Sequence, residues 1–296
     1  MKTPNFFCLG ASKSGTTSIY KVLGSHPEVY NSSFKEPHFF DNEQNYNKGL
    51  NWYINNFYKK TKNQKIISDF TPTYLYDKNA PSRIKETLGE DLKFVIIIRD
   101  PVERSYSHYL HTKRDNIEKQ DFLEALEMEE DRLKNADFLS TMHYSYIAQS
   151  KYFEMIKRYL NHFPRKNFKI YIFEEDFKNK NSIFFKGLFS FLDLKKNKNQ
   201  NTDVKINVAS KPRLMIIKKI LSSRGSFLIS FFKFLIPSIS LRRKIRNKIQ
   251  ALNNKPIKKD SLDKRVKKII FEKYFKQDVN SLEELLDRDL SFWKDF

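Results

Sequence analysis

Phe6-Phe7-Cys8-Leu9-Gly10-Ala11-Ser12-Lys13-Ser14-Gly15-Thr16-Thr17-Ser18 is the stretch on which the fold turns. Its apolar opening, Phe6 to Leu9, has the length and character of a buried strand. Gly10 to Gly15 reads as a turn, and Thr16 to Leu23 as a helix. Strand, glycine-bearing loop and helix, in that order, open an α/β fold. Such a loop aims several backbone N–H groups at one spot, and the helix N-terminus adds positive dipole there. Lys13 adds a mobile cation, and Thr16 and Thr17 add hydroxyl donors. The result suits a phosphate-like anion. The nucleotide-triphosphatase loop instead puts its lysine directly after the second glycine. Here Lys13 precedes Gly15, and no metal-binding Asp follows an obvious second strand. Taken alone, the stretch reads equally well as an ordinary strand-to-helix turn with a capping threonine.

Working outward, Lys93 to Ile98 is the clearest strand. Its continuous apolar run implies burial on both faces, as in a parallel sheet. Lys65 to Ser68 and Phe168 to Phe173 read as further strands. Helices are expected over 49–60, 83–88, 121–135, 145–163, 182–192 and 266–286. Pro101 is well placed to start a helix after the Arg99-Asp100 strand end.

The bulk composition agrees with one large α/β domain. Of 296 residues, 40% are hydrophobic and 30% charged, so a core can form and global disorder is disfavoured. The formal net charge of +20 favours anionic partners without choosing among nucleotides, glycans, lipid headgroups or nucleic acid. The one cysteine, Cys8, excludes an intramolecular disulfide and fits a reducing compartment. Only Met1 to Asn5 precede the first strand, so no secretory leader is expected. No stretch reaches the ~18 apolar residues of a membrane span. Residues 195–205 are polar and Lys/Asn-rich, which marks a boundary between an α/β body, 1–194, and a basic, mostly helical C-terminal region, 204–296, of a single domain spanning 1–296. Between Val204 and Lys259 there are 15 Lys and Arg and no acidic residue.

A second anion element follows about 85 residues after the first. In Phe94-Val-Ile-Ile-Ile-Arg99-Asp100-Pro101-Val102-Glu103-Arg104-Ser105-Tyr106-Ser107-His108-Tyr109 an arginine ends a buried strand, and a serine follows on the next helix. Both can converge at the C-terminal edge of a parallel sheet, where open α/β folds bind ligands. Arginine offers a planar fork for phosphate, serine a short hydroxyl. A strand-ending Arg-Asp salt bridge is the plainer alternative.

The Gly10–Ser18 loop resembles the 5′-phosphosulfate loop of sulfotransferases that use 3′-phosphoadenosine 5′-phosphosulfate (PAPS), and the Arg99 segment resembles their 3′-phosphate element. Lys35-Glu36-Pro37-His38-Phe39-Phe40-Asp41 is similar to a stretch in the heparan sulfate and carbohydrate branch of that family. The resemblance implies a P-loop-like three-layer α/β fold with a central, mainly parallel sheet flanked by helices. It implies PAPS as donor, PAP as product and no metal. Lys13, Ser14, Gly15, Thr16, Thr17 and Ser18 would bind the donor at one end, and Arg99 and Ser107 at the other. Asn207-Val-Ala-Ser210-Lys211-Pro212-Arg213 resembles the loop that closes over the nucleotide, so Lys211 and Arg213 would add charge. Glu36 would be the base, with His38 and Asp41 supporting it, and Lys13 the cation at the leaving oxygen. Arg104 and Tyr109 also match, Arg104 being read as structural, in a buried ion pair. Asp69-Phe70-Thr71-Pro72-Thr73-Tyr74 matches a segment in which heparan-type enzymes carry a lysine that helps at the reacting centre. This chain has Phe70 there, so another cation substitutes or the acceptor differs. Phe70 and Tyr74 join Asp41 as expected acceptor contacts.

The implied function is transfer of a sulfuryl group from PAPS to a hydroxyl or amine, with a carbohydrate as the best match for acceptor. A bacterial enzyme of the cytoplasm is expected, with no nucleic-acid partner. Two readings compete: a Mg-dependent kinase-like phosphotransferase, and a non-enzymatic basic protein binding membranes or polyanions. For residues 214–250, a lid packed on the body is favoured over peripheral contact with the inner membrane face.

Overall fold

In the computed structural model, residues 2–178, 181–195 and 261–296 are described, with residues 202, 210–212, 245, 249 and 254–256 between them. The chain divides into two compact units, Met1–Ile206 with Leu262–Phe296, and Asn207–Ser261. The expected body ended at 194, with one C-terminal region from 204. Instead Leu262–Phe296 belongs to the first unit. In the second unit, a short antiparallel pair joins Ser210–Pro212 to Asn254–Pro256. The loop expected at 195–205 and the basic segment 214–250 fall almost entirely outside the described residues.

The first unit is built on a five-stranded parallel sheet, in the order β2-β3-β1-β4-β5. Its strands are β1 (Phe6–Gly10), β2 (Val29–Asn31), β3 (Ile66–Asp69), β4 (Lys93–Ile98) and β5 (Phe168–Ile172). After β3 the chain crosses to the other side of β1, so the strand order switches at the sheet centre. Open α/β sheets bind ligands at such a switch, beyond the strands' C-terminal ends. The apolar runs are buried on both faces, with alternate residues feeding two cores. Phe7, Leu9, Phe94, Ile96 and Ile98 face one. Phe6, Cys8, Val95 and Ile97 face the other. This period of two gives the three expected layers. Burial pushes the Cys8 thiol up to about 12, which makes it a small apolar side chain.

Helix α1 (Thr16–Gly24) follows β1, and α2 (Glu43–Tyr46) and α3 (Gly49–Phe57) precede β3. Then come α4 (Ala80–Leu88) and α5 (Pro101–Arg114). The helix expected at 121–135 is broken at Met128 into α6 (Phe122–Glu127) and α7 (Glu129–Leu133), and α8 (Phe138–Tyr144) follows. The helix expected from 145 begins only at α9 (Tyr152–His162). Its first amides, Tyr152 and Phe153, donate to Asp278, a cap that comes from far along the chain. Helix α10 (Asn181–Phe191) covers the second core. The last helical stretch is α11 (Lys264–Ile270), a π-helical turn at Phe271–Phe275, and α12 (Lys276–Leu286).

Candidate active site

The β1–α1 loop lies over the sheet switch. Gly15 caps α1 with φ 88° and offers no side chain to the first-turn amides, of which Ser18 donates to the Gly15 carbonyl at 2.9 Å. A Cβ on Gly15 would stand 2.5 Å from the Phe177 ring, and one on Gly10 would stand 2.6 Å from the Pro72 carbonyl oxygen. Both glycines are therefore demanded by packing as well as by conformation. Lys13 sits inside the turn in the left-handed region, φ 72°. No carboxylate among the described residues is within ion-pair reach of it. Burial pushes its ammonium down to about 7, and nearby Arg114 and Arg104 push the same way against Glu36 and Asp115. Ser14 is fully buried, and its Oγ has no hydrogen-bond partner among the described residues.

The second element closes onto the first. Arg99, at the end of β4, donates from one guanidinium nitrogen to the Lys13 carbonyl at 3.1 Å. Its other terminal nitrogen donates to Glu103 at 3.2 Å, and its plane lies over Phe173. Its Nε is buried without a hydrogen bond among the described residues, 3.9 Å from Glu174. The base of this element is braced from the C-terminal stretch. Lys267 pairs with Asp100 at 2.7 Å, Asp100 caps α5, and Glu174 accepts from the Asp100 amide and from Trp293. Ser107 is half-buried on α5. Arg104 is fully buried, but no ion pair is found for it among the described residues. Its guanidinium instead donates to the Tyr146 carbonyl and to Ser150 and Gln149, at 2.7, 2.6 and 3.4 Å. Tyr109 donates to the Gln120 carbonyl.

The loop after β2 carries the candidate base. Glu36 and His38 both adopt left-handed backbone, φ 63° and 51°. With Lys13, the three residues nominated for chemistry make up half of the six non-glycine residues with positive φ among the described residues. Such strain persists only where surroundings over-determine it, and it concentrates at functional sites. The Glu36 amide donates to the Phe70 carbonyl at 3.1 Å. Its carboxylate meets Lys35 at 2.5 Å and approaches His38 Nε2 at 4.0 Å. The other imidazole nitrogen, Nδ1, bonds Asp41 at 3.0 Å. Asp41 also accepts from Thr73, and its second oxygen is buried without a partner among the described residues. Burial pushes the Glu36 carboxyl up, but Lys35, His38 and Lys13 outweigh it and hold it below the usual carboxylate range. Burial pushes His38 down, and the Asp41 hydrogen bond and charge more than reverse this.

Two expected acceptor contacts are placed elsewhere. Phe70 is fully buried, packed edge-on against Phe6 and Tyr20 in the second core. Tyr74 is fully buried too. Its hydroxyl receives the Phe39 amide and donates to Asp69. Both support the loop from below instead of facing a ligand. Lys211 lies on the short strand of the second unit, with its side chain outside the described residues, and Arg213 lies outside them altogether. Sequence reasoning missed Phe138, whose ring stands edge-on to His38 at 5.4 Å. It begins α8, in which no residue is buried. Nothing in the local sequence links residues 38 and 138. Among the described residues no helix is long and apolar enough to cross a membrane.

The site therefore joins the β1–α1 loop and the Arg99 element to a carboxylate–imidazole–carboxylate row. Four comparisons bear on what it belongs to. A mouse heparan sulfate glucosamine 3-O-sulfotransferase 3B1 is 33% identical over 161 residues, 54% of this chain and 39% of that protein. The membrane-associated sulfotransferase kil1 of Dictyostelium discoideum is 40% identical over 108 residues, 36% of this chain and 22% of that protein. The chain thus spans well under half the length of these relatives. The crystal structure of a sulfotransferase from Alicyclobacillus acidocaldarius superposes with a TM-score of 0.69 over 99% of this chain and 100% of that one, at 24% identity, and shows the same fold. The family profile described as sulfotransferase domain matches residues 3–211, which take in the β1–α1 loop, the Arg99 element and the Glu36 loop, and the chain belongs to that family.

Proposed function

We propose that the protein transfers a sulfuryl group from PAPS to a hydroxyl or amine of a carbohydrate acceptor. The observation that carries this reading is the contact of Arg99 with the Lys13 carbonyl, which brings the proposed 5′ and 3′ anion elements together. The Ser14 hydroxyl and the Arg99 Nε, buried without a hydrogen bond among the described residues, fit an anionic donor, and the Lys13 ammonium adds positive charge beside them. Buried donors without partners are costly, and phosphate and sulfate oxygens would satisfy them.

Bound there, the donor supplies a sulfuryl group on an activated anhydride. Lys13, Ser14 and the first amides of α1, with Thr16, Thr17 and Ser18, hold the 5′ side, and Arg99 and Ser107 hold the 3′-phosphate. Lys13 places positive charge where the bridging oxygen gains negative charge. Glu36, ionised at neutral pH, accepts the acceptor's proton. Asp41 fixes the His38 ring through Nδ1, leaving Nε2 directed at Glu36 and the acceptor. The similarity to heparan sulfate 3-O-sulfotransferases supports the choice of a sugar. A bacterial, cytoplasmic setting belongs to the same proposal.

Calorimetry with 3′,5′-ADP, ATP and 5′-AMP, without metal, tests the donor site. Micromolar binding of 3′,5′-ADP, in clear preference to ATP and lost in Arg99→Ala, is expected. Equal affinity for nucleotides with and without a 3′-phosphate would overturn it. Labelled PAPS with a panel of sugar acceptors tests the rest.

A further inference from the structure

The resemblance calls for a lysine at position 70, and this chain closes a phenylalanine into the core there. What position 70 contributes to the site is its carbonyl, which fixes the Glu36 amide. The base loop carries a cation of its own, one residue before the base. Lys35 Nζ lies 2.5 Å from Glu36 Oε1. Side chains of adjacent residues normally diverge. The left-handed turn at Glu36, φ 63°, accompanies a carboxylate folded back onto its neighbour. The Lys35 side chain is 19% exposed against 41% for Glu36, so the cation is the more enclosed partner and the carboxylate stays open to an acceptor. Across the carboxylate, His38 Nε2 stands 4.0 Å from the other oxygen, Oε2. Each oxygen of Glu36 therefore has its own nitrogen neighbour. The Lys35 charge also acts inward, favouring ionisation of the buried Cys8 on β1.

We infer that Lys35 is a positioning residue for Glu36. It holds one carboxylate oxygen so that the other faces His38 and the acceptor, and it supplies at the reacting centre the second positive charge that position 70 does not. This rests on the sulfotransferase reading for its catalytic consequence, but not for the contact itself. The charged groups facing Glu36 are Lys35, His38 and Lys13, all cationic when protonated, and all favour the carboxylate.

The test compares Lys35→Met and Lys35→Arg with the wild type. The Glu36 carboxyl is followed by carbon NMR in glutamate-labelled protein and assigned with Glu36→Gln. Calorimetry with 3′,5′-ADP and turnover of PAPS run alongside. Lys35→Met should move the Glu36 titration to higher pH and lower turnover by at least about tenfold, with 3′,5′-ADP affinity near wild type. Lys35→Arg should restore both. An unmoved Glu36 titration in Lys35→Met would overturn the inference, as would loss of 3′,5′-ADP binding in step with turnover. If Lys35→Met does not fold, Lys35→Gln serves the same comparison. Failure of the wild type to bind 3′,5′-ADP would count against the donor reading alone, since the carboxyl titration needs no nucleotide.

Discussion

Binding of the donor nucleotide should take up a proton at Lys13. In the unliganded protein, burial has brought this ammonium down to about 7, and no described carboxylate pairs with it. A phosphate held against it favours the charged form and returns it toward the ordinary lysine value of about 10.4. At pH about 7 roughly half of the unliganded molecules lack the proton, and at pH about 8 roughly nine-tenths lack it. Binding of 3′,5′-ADP should therefore absorb about 0.5 proton at the lower pH and about 0.9 at the higher. Its affinity should fall by up to about tenfold, or ~1.4 kcal/mol, for each pH unit above about 7 until the bound-state value is reached. Calorimetry in buffers of different ionisation heats counts the protons directly. Lys13→Met should bind more weakly and take up none. Uptake near zero in the wild type at pH about 8, or uptake that survives in Lys13→Met, would refute the argument.

The same shift has the opposite sign for folding. Between about 7 and about 10.4 the unfolded chain holds the Lys13 proton more tightly, so this residue makes the unliganded protein more stable as pH rises through that window. Urea unfolding of wild type against Lys13→Met across that range checks it. Gly15→Ala combines a left-handed φ with a 2.5 Å approach to the buried Phe177 ring and should cost roughly 2–4 kcal/mol in urea unfolding. Asp41→Asn keeps the shape but removes the charge that orients His38. Turnover should fall about a hundredfold while 3′,5′-ADP affinity holds. Phe138→Ala should raise the acceptor KM by roughly three- to tenfold at unchanged nucleotide affinity, if the ring beside His38 lies against the acceptor.

The parts of the fold that could be read in advance are those written in consecutive residues. Lys93 to Ile98 is apolar because both faces of β4 are covered, and Gly10 and Gly15 stand where no Cβ fits. Strand β2 went unread because it is three residues long and carries no pattern of its own. The start of α9 was misplaced because its cap, Asp278, is supplied by another helix. At the site, Lys13, Glu36, His38 and Arg99 could be nominated from motifs, since the chemistry constrains residue type and order. The burial of Phe70 and Tyr74 could not, because a turn around Pro72 decides which side chains go down and which stay up. Arg104 is buried, and four of its partners are peptide or side-chain oxygens of the 145–150 stretch, which leave no mark on the 99–109 segment.

The pairing of β1 directly with β4, Cys8 beside Val95 and Gly10 beside Ile96, makes the sheet a caliper. Its two jaws are the loops leaving neighbouring strands, so the gap between them is set by backbone spacing of about 4.8 Å and by the register, not by side-chain length. On the proposed reading, the strand ladder sets where the two anionic ends of the donor are held apart, and the loop side chains work within that spacing.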